Sequence, residues 1–389
     1  MMGDAFDRWF GETLSELLRI RRPFALPRTI TGWPETPRPG WEAVWETATR
    51  ALVAEASPEF RQDSQVRGDA LGRALDEASA RIDATTFHSV VAAKLRVEHQ
   101  DRFDCAPDED FWYLKINHGY WEQLFRIFGT PDPVKMRVRS AEYWRWAYID
   151  TGFAFALEAL IARYARLDAG TLSFPGMHFG FNLMNGSDSH ETLVENFLSS
   201  DQATQVILQG ATIGLTATFE SLYGPCRLAL ADGSFPKRAA MEGSLRETLY
   251  GFAAHSGRIF FVVPPHLKGI TLEGVDIPQE TLLVPGERVH ECWAAALWAV
   301  GRRVFEQLET NARVMIITQS AVFSALLGLF LRAAKDALQT RGRQLFFFDL
   351  GQALDSATPA SGGLWIKKYE VKDLSLFRIP EAKGLAPNA

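Results

Sequence analysis

The C-terminal third of the chain predicts an α/β fold built around a parallel sheet. Three continuous apolar runs lie there, and such runs are typical of strands that are buried on both faces. They are residues 258–265, 313–318 and 344–351. Segments with apolar residues at helical spacing lie between them, and strands that alternate with long helices form parallel β/α units. This order predicts a doubly wound, mostly parallel, Rossmann-like sheet.

The other elements of this sheet follow from the same patterns. Residues 280–286 form a shorter apolar run and predict a strand, and helices are predicted over 287–309 and 320–340. Nearer the N-terminus, the stretch FWYLKINHGYWEQLFRIFG, residues 111–129, begins with the pattern of a strand and ends with that of a helix. A polar turn with a glycine at its centre, residues 117–120, separates the two halves.

The chain has 389 residues, enough for two domains or for one large domain with an appended region. Residues 1–105 are predicted to be a helical region, residues 106–375 to form the α/β domain, and residues 376–389 to be a loose tail. Inside the α/β domain we predict a helical insertion at about 138–225, which opens with a helix over 138–168. Within this insertion, the stretch 171–186 has the pattern of extended or loop structure.

The N-terminal region shows helical spacing in separate segments that proline-rich connectors interrupt. We interpret this region as a helical cap on the α/β domain or as a layer through which the protein forms a homo-oligomer. Its predicted helices cover residues 41–56, 69–83 and 88–98.

Composition argues against some classes of function. The chain is 47% hydrophobic and 23% charged, as in ordinary soluble globular proteins, and its net charge is -6. Proteins that bind nucleic-acid backbones usually carry a basic excess, so no nucleic-acid partner is expected. The three cysteines, Cys105, Cys226 and Cys292, lie far apart without CxxC spacing, which predicts neither a disulfide framework nor a zinc site.

The expected compartment is the cytoplasm. An odd number of widely spaced cysteines suits a reducing environment. Asp4 and Asp7 stand where a signal peptide would carry basic residues. The most apolar stretch, residues 321–331, is too short to span a bilayer, so no transmembrane segment is expected.

Candidate binding residues follow from the predicted sheet. In an open parallel sheet, ligands bind at the carboxyl ends of the strands, and polar residues follow each predicted strand. If all of these strands belong to one sheet, the residues expected at one crevice are His118, His266, Glu287, Arg288, Thr318, Gln319, Ser320, Asp349 and Gln352.

The stretch from Thr318 to Ser320 carries two interpretations. It passes from a predicted strand to a predicted helix, so free backbone N–H groups there are candidates to bind a phosphate. Alternatively, Ser320 simply caps the helix that follows.

The absence of three common catalytic and nucleotide-binding motifs argues against several enzyme classes. The chain lacks G-x-S-x-G, G-x-x-x-x-G-K-[ST] and G-x-G-x-x-G, which weighs against an elbow-type serine hydrolase, a P-loop NTPase and an ordinary NAD enzyme. Glu287 and His290 have the E-x-x-H spacing of a metal-ligating pair. The motif occurs once, and we interpret the acidic residues Glu287 and Glu291 as complementing a helix N-terminus. No metal ligand is predicted.

Four stretches of the C-terminal half resemble the bacterial glycosyltransferases of the GT-D fold. They read RIFFVVPP, LLVPGERVHECW, VMIITQSAVFSALL and FFFDLGQALD, and the resemblance covers residues 110–128 and 255–355. That family carries an Asp-Gly-Glu turn after an early strand, associated with the metal and the nucleotide-sugar diphosphate. In the comparable place this chain has His118 for the aspartate and Tyr120 for the glutamate.

The resemblance implies that the protein binds a nucleotide-sugar and transfers the sugar to an acceptor hydroxyl. Under it, Lys115 or Arg288 neutralises the diphosphate, and His118 or Glu122 acts as a general base or as a remaining metal ligand. A base with a pKa near neutrality suits removal of a hydroxyl proton, which favours His118. The other residues implied in binding the nucleotide-sugar are Asn117, Gly119, Tyr120, Thr318, Gln319, Ser320, Asp349 and Gln352.

Replacement of the Asp-Gly-Glu turn leaves three alternatives open. Glu122 replaces the missing carboxylates, or the site works without a metal, or the transferase activity has been lost, because Mg²⁺ and Mn²⁺ prefer carboxylate ligands. In the third case the protein is a non-catalytic scaffold or binding protein on a degenerate glycosyltransferase fold. A different nucleotide-dependent transferase, such as a methyltransferase, is a further alternative on a similar sheet.

Overall fold

A computed structural model describes residues 2–20, 40–59, 102–117, 166–168, 171–173, 177–182, 230–232, 239, 243–286, 289–320, 323–357 and 376–379. The helices in these ranges are α1 (Met2–Leu17), α2 (Trp41–Ala54), α3 (Ser244–Ala253), α4 (Trp293–Thr310) and α5 (Phe323–Ala337). The strands are β1 (Phe111–Asn117), β2 (Arg166–Asp168), β3 (Thr171–Ser173), β4 (Met177–Asn182), β5 (Leu230–Asp232), β6 (Arg258–Val263), β7 (Thr271–Leu272), β8 (Gln279–Leu283), β9 (Arg313–Thr318), β10 (Gln344–Asp349) and β11 (Phe377–Arg378). Short 3₁₀ segments cover Pro265–Leu267, Val289–Cys292 and Gly351–Ala357.

Seven strands form one sheet, and every pair of neighbours in it runs parallel. The order across the sheet is β5-β4-β1-β10-β9-β6-β8. Five of these strands, β1, β10, β9, β6 and β8, are consecutive in this order. Helix α4 follows β8 and α5 follows β9, as expected for parallel β/α units. The predicted α/β class with a parallel sheet is therefore confirmed.

Helices α1, α2, α4 and α5 form the layer on one face of the sheet. Helix α5 contacts β1 and β10, and α4 contacts β9. Alternate strand residues point to this face, among them Trp112 of β1 and Phe347 of β10, whose rings stack with centroids 5.8 Å apart. Gly328 of α5 lies so close to the sheet that a Cβ atom there would overlap Leu114.

The opposite face is covered by α3 and an aromatic cluster. Phe252 of α3 lies with its ring centroid 4.7 Å from that of Phe111 and 4.9 Å from that of Phe348. These residues belong to a core cluster that also contains Ile317 and Phe261 of the central strands. Both faces of the sheet are buried, which explains why its strands are continuous apolar runs without alternation.

The N-terminal helix α1 packs against α4 and α5 of the same chain. Its Phe6 is fully buried and stacks on Phe305 of α4, with ring centroids 5.1 Å apart. Asp7 accepts hydrogen bonds from the indole of Trp298 and from Arg302 on the same helix. The apolar face of α1 is thus covered inside the chain, so α1 acts as a cap on the domain, one of the two roles predicted for this region.

Helix α2 completes the cap and confirms the helix predicted over 41–56. Thr49 of α2 is fully buried and accepts the amide hydrogen of Ala295 in α4, at 3.4 Å. The helices predicted over 69–83 and 88–98 lie outside the described residues.

Helix starts differ from the prediction in the C-terminal half. The helix predicted from residue 287 begins at Trp293, after the 3₁₀ segment Val289–Cys292, and the helix predicted from residue 320 begins at Phe323. In both places the apolar residues keep helical spacing up to the preceding strand. The described backbone there instead forms 3₁₀ hydrogen bonds or the hydrogen bonds of a strand end. Strand β9 has its predicted bounds.

Two short strands lie where the sequence predicted something else, and a third agrees with its prediction. Arg166–Asp168 is a strand rather than the end of the predicted helix 138–168, because it pairs antiparallel with Thr171–Ser173. Met177–Asn182, predicted as extended or loop, joins the main sheet beside β1. Phe377, assigned to the tail, pairs with β7 and is 3% exposed. Strand formation at these positions depends on pairing with another strand, which the local sequence pattern does not show.

Substitution of Gly301 in α4 tests the docking of α1. A Cβ atom at Gly301 would overlap the ring of Phe6, which Phe305 and Phe330 hold in place. Overpacking of this kind typically costs about 1–3 kcal/mol, more than the roughly 1 kcal/mol that alanine contributes over glycine inside a helix. We therefore expect Gly301→Ala to lower the free energy of unfolding measured in urea.

The matched control is Gly251→Ala in α3, where a Cβ atom meets no atom of the described residues within 4 Å. This variant should be more stable than the wild type by up to about 1 kcal/mol. Equal stabilisation by both substitutions would mean that Phe6 does not pack on α4 as described.

Candidate functional site

The carboxyl ends of the parallel strands meet at one edge of the sheet, which we call the carboxyl edge. Cα partners across the central strands place Val262 beside Thr318 and Thr318 beside Asp349. Residues that directly follow β6, β9 and β10 therefore lie together, and this is the edge where ligands bind in open parallel sheets.

A carboxylate at the carboxyl edge joins residues from three neighbouring strands. Asp355, which follows β10, accepts a hydrogen bond from Gln319 Nε2 at 2.8 Å, and Gln319 directly follows β9. His266, which follows β6, places its Nε2 at 3.4 Å from the same Asp355 Oδ1 atom. We call these three residues the Asp355 cluster.

Rigid turns hold the Asp355 cluster. Two prolines follow β6 directly and fix the backbone φ angles before His266, while the neighbouring Leu267 is fully buried. Asp355 lies in the 3₁₀ segment after β10, which the fully buried Leu354 anchors to the core. The side chain of His266 is 52% exposed and that of Asp355 is 17% exposed, so solvent and ligands have access to the imidazole.

Gln319 has one polar atom without a protein partner. Its Nε2 is committed to Asp355, whereas its Oε1 is buried and accepts no hydrogen bond from the described protein atoms. A buried acceptor without a donor is rare in folded proteins and calls for an explanation at each position.

A chain of three buried hydroxyl groups lies beneath the Asp355 cluster. Thr318 Oγ1 donates to the carbonyl of Val262 at 3.0 Å, and it lies 2.8 Å from Ser320 Oγ. Ser320 Oγ in turn lies 2.9 Å from Ser324 Oγ of α5. Because the Val262 carbonyl can only accept, Thr318 donates to it, Ser320 then donates to Thr318, and Ser324 donates to Ser320.

Free amides were expected at this turn, and the structure corrects that expectation at two positions. The amide of Gln319 donates to the carbonyl of Val262 at 3.0 Å, and the amide of Ser320 donates to Ser324 Oγ at 3.3 Å. The Gln319 amide is used because the chain stays in register with β6 past the end of β9, and the Ser320 amide is used because α5 brings Ser324 back onto the turn. The carbonyl of Ser320 accepts the amide of Phe323, which closes the turn into α5.

Asp349 shapes the turn at the end of β10. It is 4% exposed, and its Oδ1 accepts the amide hydrogen of Gly351 at 3.2 Å. Gly351 has a positive φ of 51°, a conformation that suits glycine. The amide of Leu350 donates to the carbonyl of Thr318, which ties this turn to β9.

Strand β1 brings further polar positions to the carboxyl edge. Its last residue, Asn117, is the Cα partner of Asn182 in β4, and Lys115 is the partner of Gly180. Ser320 and Asp349 thus share an edge with the strand that leads to His118. Several predicted site residues lie outside the described residues: His118, Gly119, Tyr120, Glu122, Glu287 and Arg288. Gln352 is described as part of the 3₁₀ segment Gly351–Ala357.

Sequence reasoning missed Asp355, Ser324 and Asn182. Asp355 lies six residues beyond the end of β10, and Ser324 lies inside α5, so a rule restricted to residues just after each strand does not reach them. Asn182 belongs to a stretch predicted as extended or loop. A signal for Asp355 was present, because it closes the FFFDLGQALD stretch.

The described residues contain neither a cluster of metal-ligating side chains nor a helix that could span a membrane. In the described ranges, no group of three or more histidine, cysteine, aspartate or glutamate side chains is placed to hold a metal ion. Within the described residues, neither Cys105 nor Cys292 is part of a disulfide. Among the described helices, none has the length and apolar character needed to cross a membrane.

Comparisons with protein-family models, with curated proteins and with solved structures find no match for this chain. The parallel α/β sheet is the part of the GT-D resemblance that the structure establishes.

Substitution of Thr318 tests the hydroxyl chain. Thr318→Val keeps the shape of the side chain but leaves Ser320 without its acceptor and the Val262 carbonyl without its hydroxyl donor. A buried polar group left unsatisfied costs about 1–3 kcal/mol, and we expect a loss of this size in the free energy of unfolding. Thr318→Ser, which keeps the hydroxyl, should lose less.

The control is the same substitution at Thr47, an exposed residue of α2 whose hydroxyl donates to Ala43 at 2.7 Å. Thr47→Val should change stability by no more than about 0.5 kcal/mol. If Thr318→Val proves as mild as Thr47→Val, the buried hydrogen-bond chain does not exist.

Proposed function

We propose that the protein binds a nucleotide-sugar at the carboxyl edge of its sheet and transfers the sugar to an acceptor hydroxyl. The observation that carries the proposal is the convergence of His266, Gln319 and Asp355 from three successive parallel strands. Parallel sheets bind ligands at this edge, and the strands involved are those whose sequences resemble the GT-D glycosyltransferases.

The boundary between β1 and β10 suits the diphosphate. These are the first and last strands of the sheet along the chain, and they lie side by side. Beyond β1 the order continues to β4 and β5, which follow β1 in the chain, whereas on the other side of β10 lie β9 and β6, which precede β10, as at the switch points where nucleotides bind. Lys115 and Asn117 lie on β1 at this boundary and are the residues we assign to the diphosphate.

The donor set does not suit a hard divalent cation. The turn that carries two carboxylates in the resembling family has Asn117, His118 and Tyr120 here, and Mg²⁺ prefers oxygen ligands from carboxylates. The proposed transfer therefore relies on cationic and hydrogen-bonding side chains, and no step of it passes through a metal.

One observation favours a second candidate, a non-catalytic binding protein on the same fold. The hydroxyls of Thr318 and Ser320 and the amides of Gln319 and Ser320 are engaged inside the protein. Groups already used in this way stabilise the strand end and leave fewer contacts for a nucleotide. This candidate predicts that nucleotide-sugars neither bind nor turn over.

Thermal stability in the presence of ligands tests the proposal. A ligand at about 100 times its Kd stabilises a protein by about 2.7 kcal/mol, which raises Tm measurably. We expect UDP- or GDP-sugars to raise Tm and the free monosaccharides to leave it unchanged, because the diphosphate and the nucleotide supply the contacts. Lys115→Ala should lose most of the shift.

Arg8→Ala is the matched control for charge, because it removes one positive charge from an exposed position on α1, away from the carboxyl edge. It should keep the full ligand shift. Absence of any shift with millimolar nucleotide-sugars would overturn the proposal and favour the binding-protein alternative.

A further inference from the structure

We propose that His266 is the general base of this site, that its Nδ1 atom takes the proton of the acceptor hydroxyl, and that Asp355 positions its imidazole. The inference rests on the proposed transferase function and adds a residue to it. The sequence alone assigned the base to His118 or Glu122.

The hydrogen bonds of the Asp355 cluster fix the roles of the two imidazole nitrogens. An ionised carboxylate only accepts hydrogen bonds, and Asp355 Oδ1 already accepts one from Gln319 Nε2. The hydrogen between Asp355 and His266 therefore belongs to His266 Nε2, 3.4 Å away. In the neutral imidazole the lone pair is then on Nδ1, which has no hydrogen-bond partner in the described part of the chain.

The distance of 3.4 Å is long for such a bond, and hydrogen bonds of catalytic groups often shorten only when the ligand is bound. Gln319 keeps the carboxylate in place from the other side at 2.8 Å. Asp355 is thus a positioning residue that acts through His266, as carboxylates do when they fix the tautomer and orientation of a histidine.

The location of His266 suits a proton acceptor better than a phosphate ligand. Its side chain is 52% exposed, so an acceptor molecule can reach it from solvent. The negative charge of Asp355 repels a diphosphate, whereas it does not repel a neutral acceptor hydroxyl. The imidazole follows β6, two strands away from β10, so it lies to one side of the β1–β10 boundary assigned to the diphosphate.

The proposed step is a balanced group transfer. The acceptor oxygen forms a bond to the anomeric carbon of the sugar, and its proton passes to His266 Nδ1. The bond between the anomeric carbon and the diphosphate oxygen breaks, and its electron pair leaves with the nucleoside diphosphate. His266 then releases the proton to solvent.

The first measurement is spectroscopic and needs no substrate. A hydrogen-bonded imidazole N–H should give a proton resonance that is present in the wild type and missing from both His266→Gln and Asp355→Ala. Correlation with ¹⁵N-labelled histidine should assign this hydrogen to Nε2. Assignment to Nδ1 of His266 would overturn the inference, and so would a resonance that Asp355→Ala leaves unchanged.

The second measurement follows release of nucleoside diphosphate from the nucleotide-sugar that raises Tm most, with water as the acceptor hydroxyl. His266→Gln should lower kcat by roughly 10²- to 10⁴-fold, the usual contribution of a general base, and should keep the ligand-induced shift in Tm. The control is His255→Gln, an exposed histidine that precedes the amino end of β6 and so lies at the opposite edge of the sheet. It should leave kcat unchanged.

The outcomes separate this inference from the proposed function. If the wild type binds and turns over the nucleotide-sugar while His266→Gln keeps full activity, the inference is wrong and the transferase function stands. A loss of turnover in His118→Ala but not in His266→Gln would assign the base to His118. If no nucleotide-sugar binds to the wild-type protein, the proposed function fails, and a sugar-transfer role for His266 fails with it.

Discussion

Burial of the central strands on both faces is the constraint on which the rest of the structure depends. Residues 314–317 of β9 and 345–348 of β10 are fully buried, so water reaches neither face of the sheet there. Such strands are stable only between two layers of helices and with every backbone group paired in the ladder. Parallel connections satisfy both requirements, and they place all the carboxyl ends at one edge. The site is therefore a consequence of how the core is covered.

The sequence predicted the fold well where the information is local. The strands β6, β9 and β10 are uninterrupted apolar runs, and their burial leaves little choice of structure. The packing of α1 on α4 could not be predicted from local sequence. The position of Phe6 depends on its contact with Phe305 and on the absence of a side chain at Gly301. Strand β11 was missed for the same reason, since it is a strand only by virtue of its partner β7.

Prediction of the candidate site was less complete because residue type does not show which polar groups are already satisfied. Thr318 and Ser320 have the right chemistry and the right position for a ligand, yet their hydroxyls bond to one another, to Ser324 and to a backbone carbonyl. Asp355 lies six residues beyond the end of β10, so a rule restricted to residues just after each strand does not reach it. Its contacts with His266 and Gln319 arise only when three strands are assembled side by side.

A ligand at the carboxyl edge can bind only to polar atoms that are not already hydrogen-bonded within the protein. Asp355 fixes the orientation of the Gln319 amide, and Gln319 Oε1 is buried and meets no hydrogen-bond donor among the described residues. An unsatisfied buried acceptor costs about 1–3 kcal/mol, a large fraction of the 5–15 kcal/mol by which domains are stable. An apolar residue at position 319 would avoid this cost, but it would release Asp355 and with it the orientation of His266. Exceptions to structural rules, such as a buried polar group without a hydrogen bond, reduce stability and tend to occur at functional sites. The arrangement of Gln319 therefore favours a functional role for the Asp355 cluster over that of a purely structural turn.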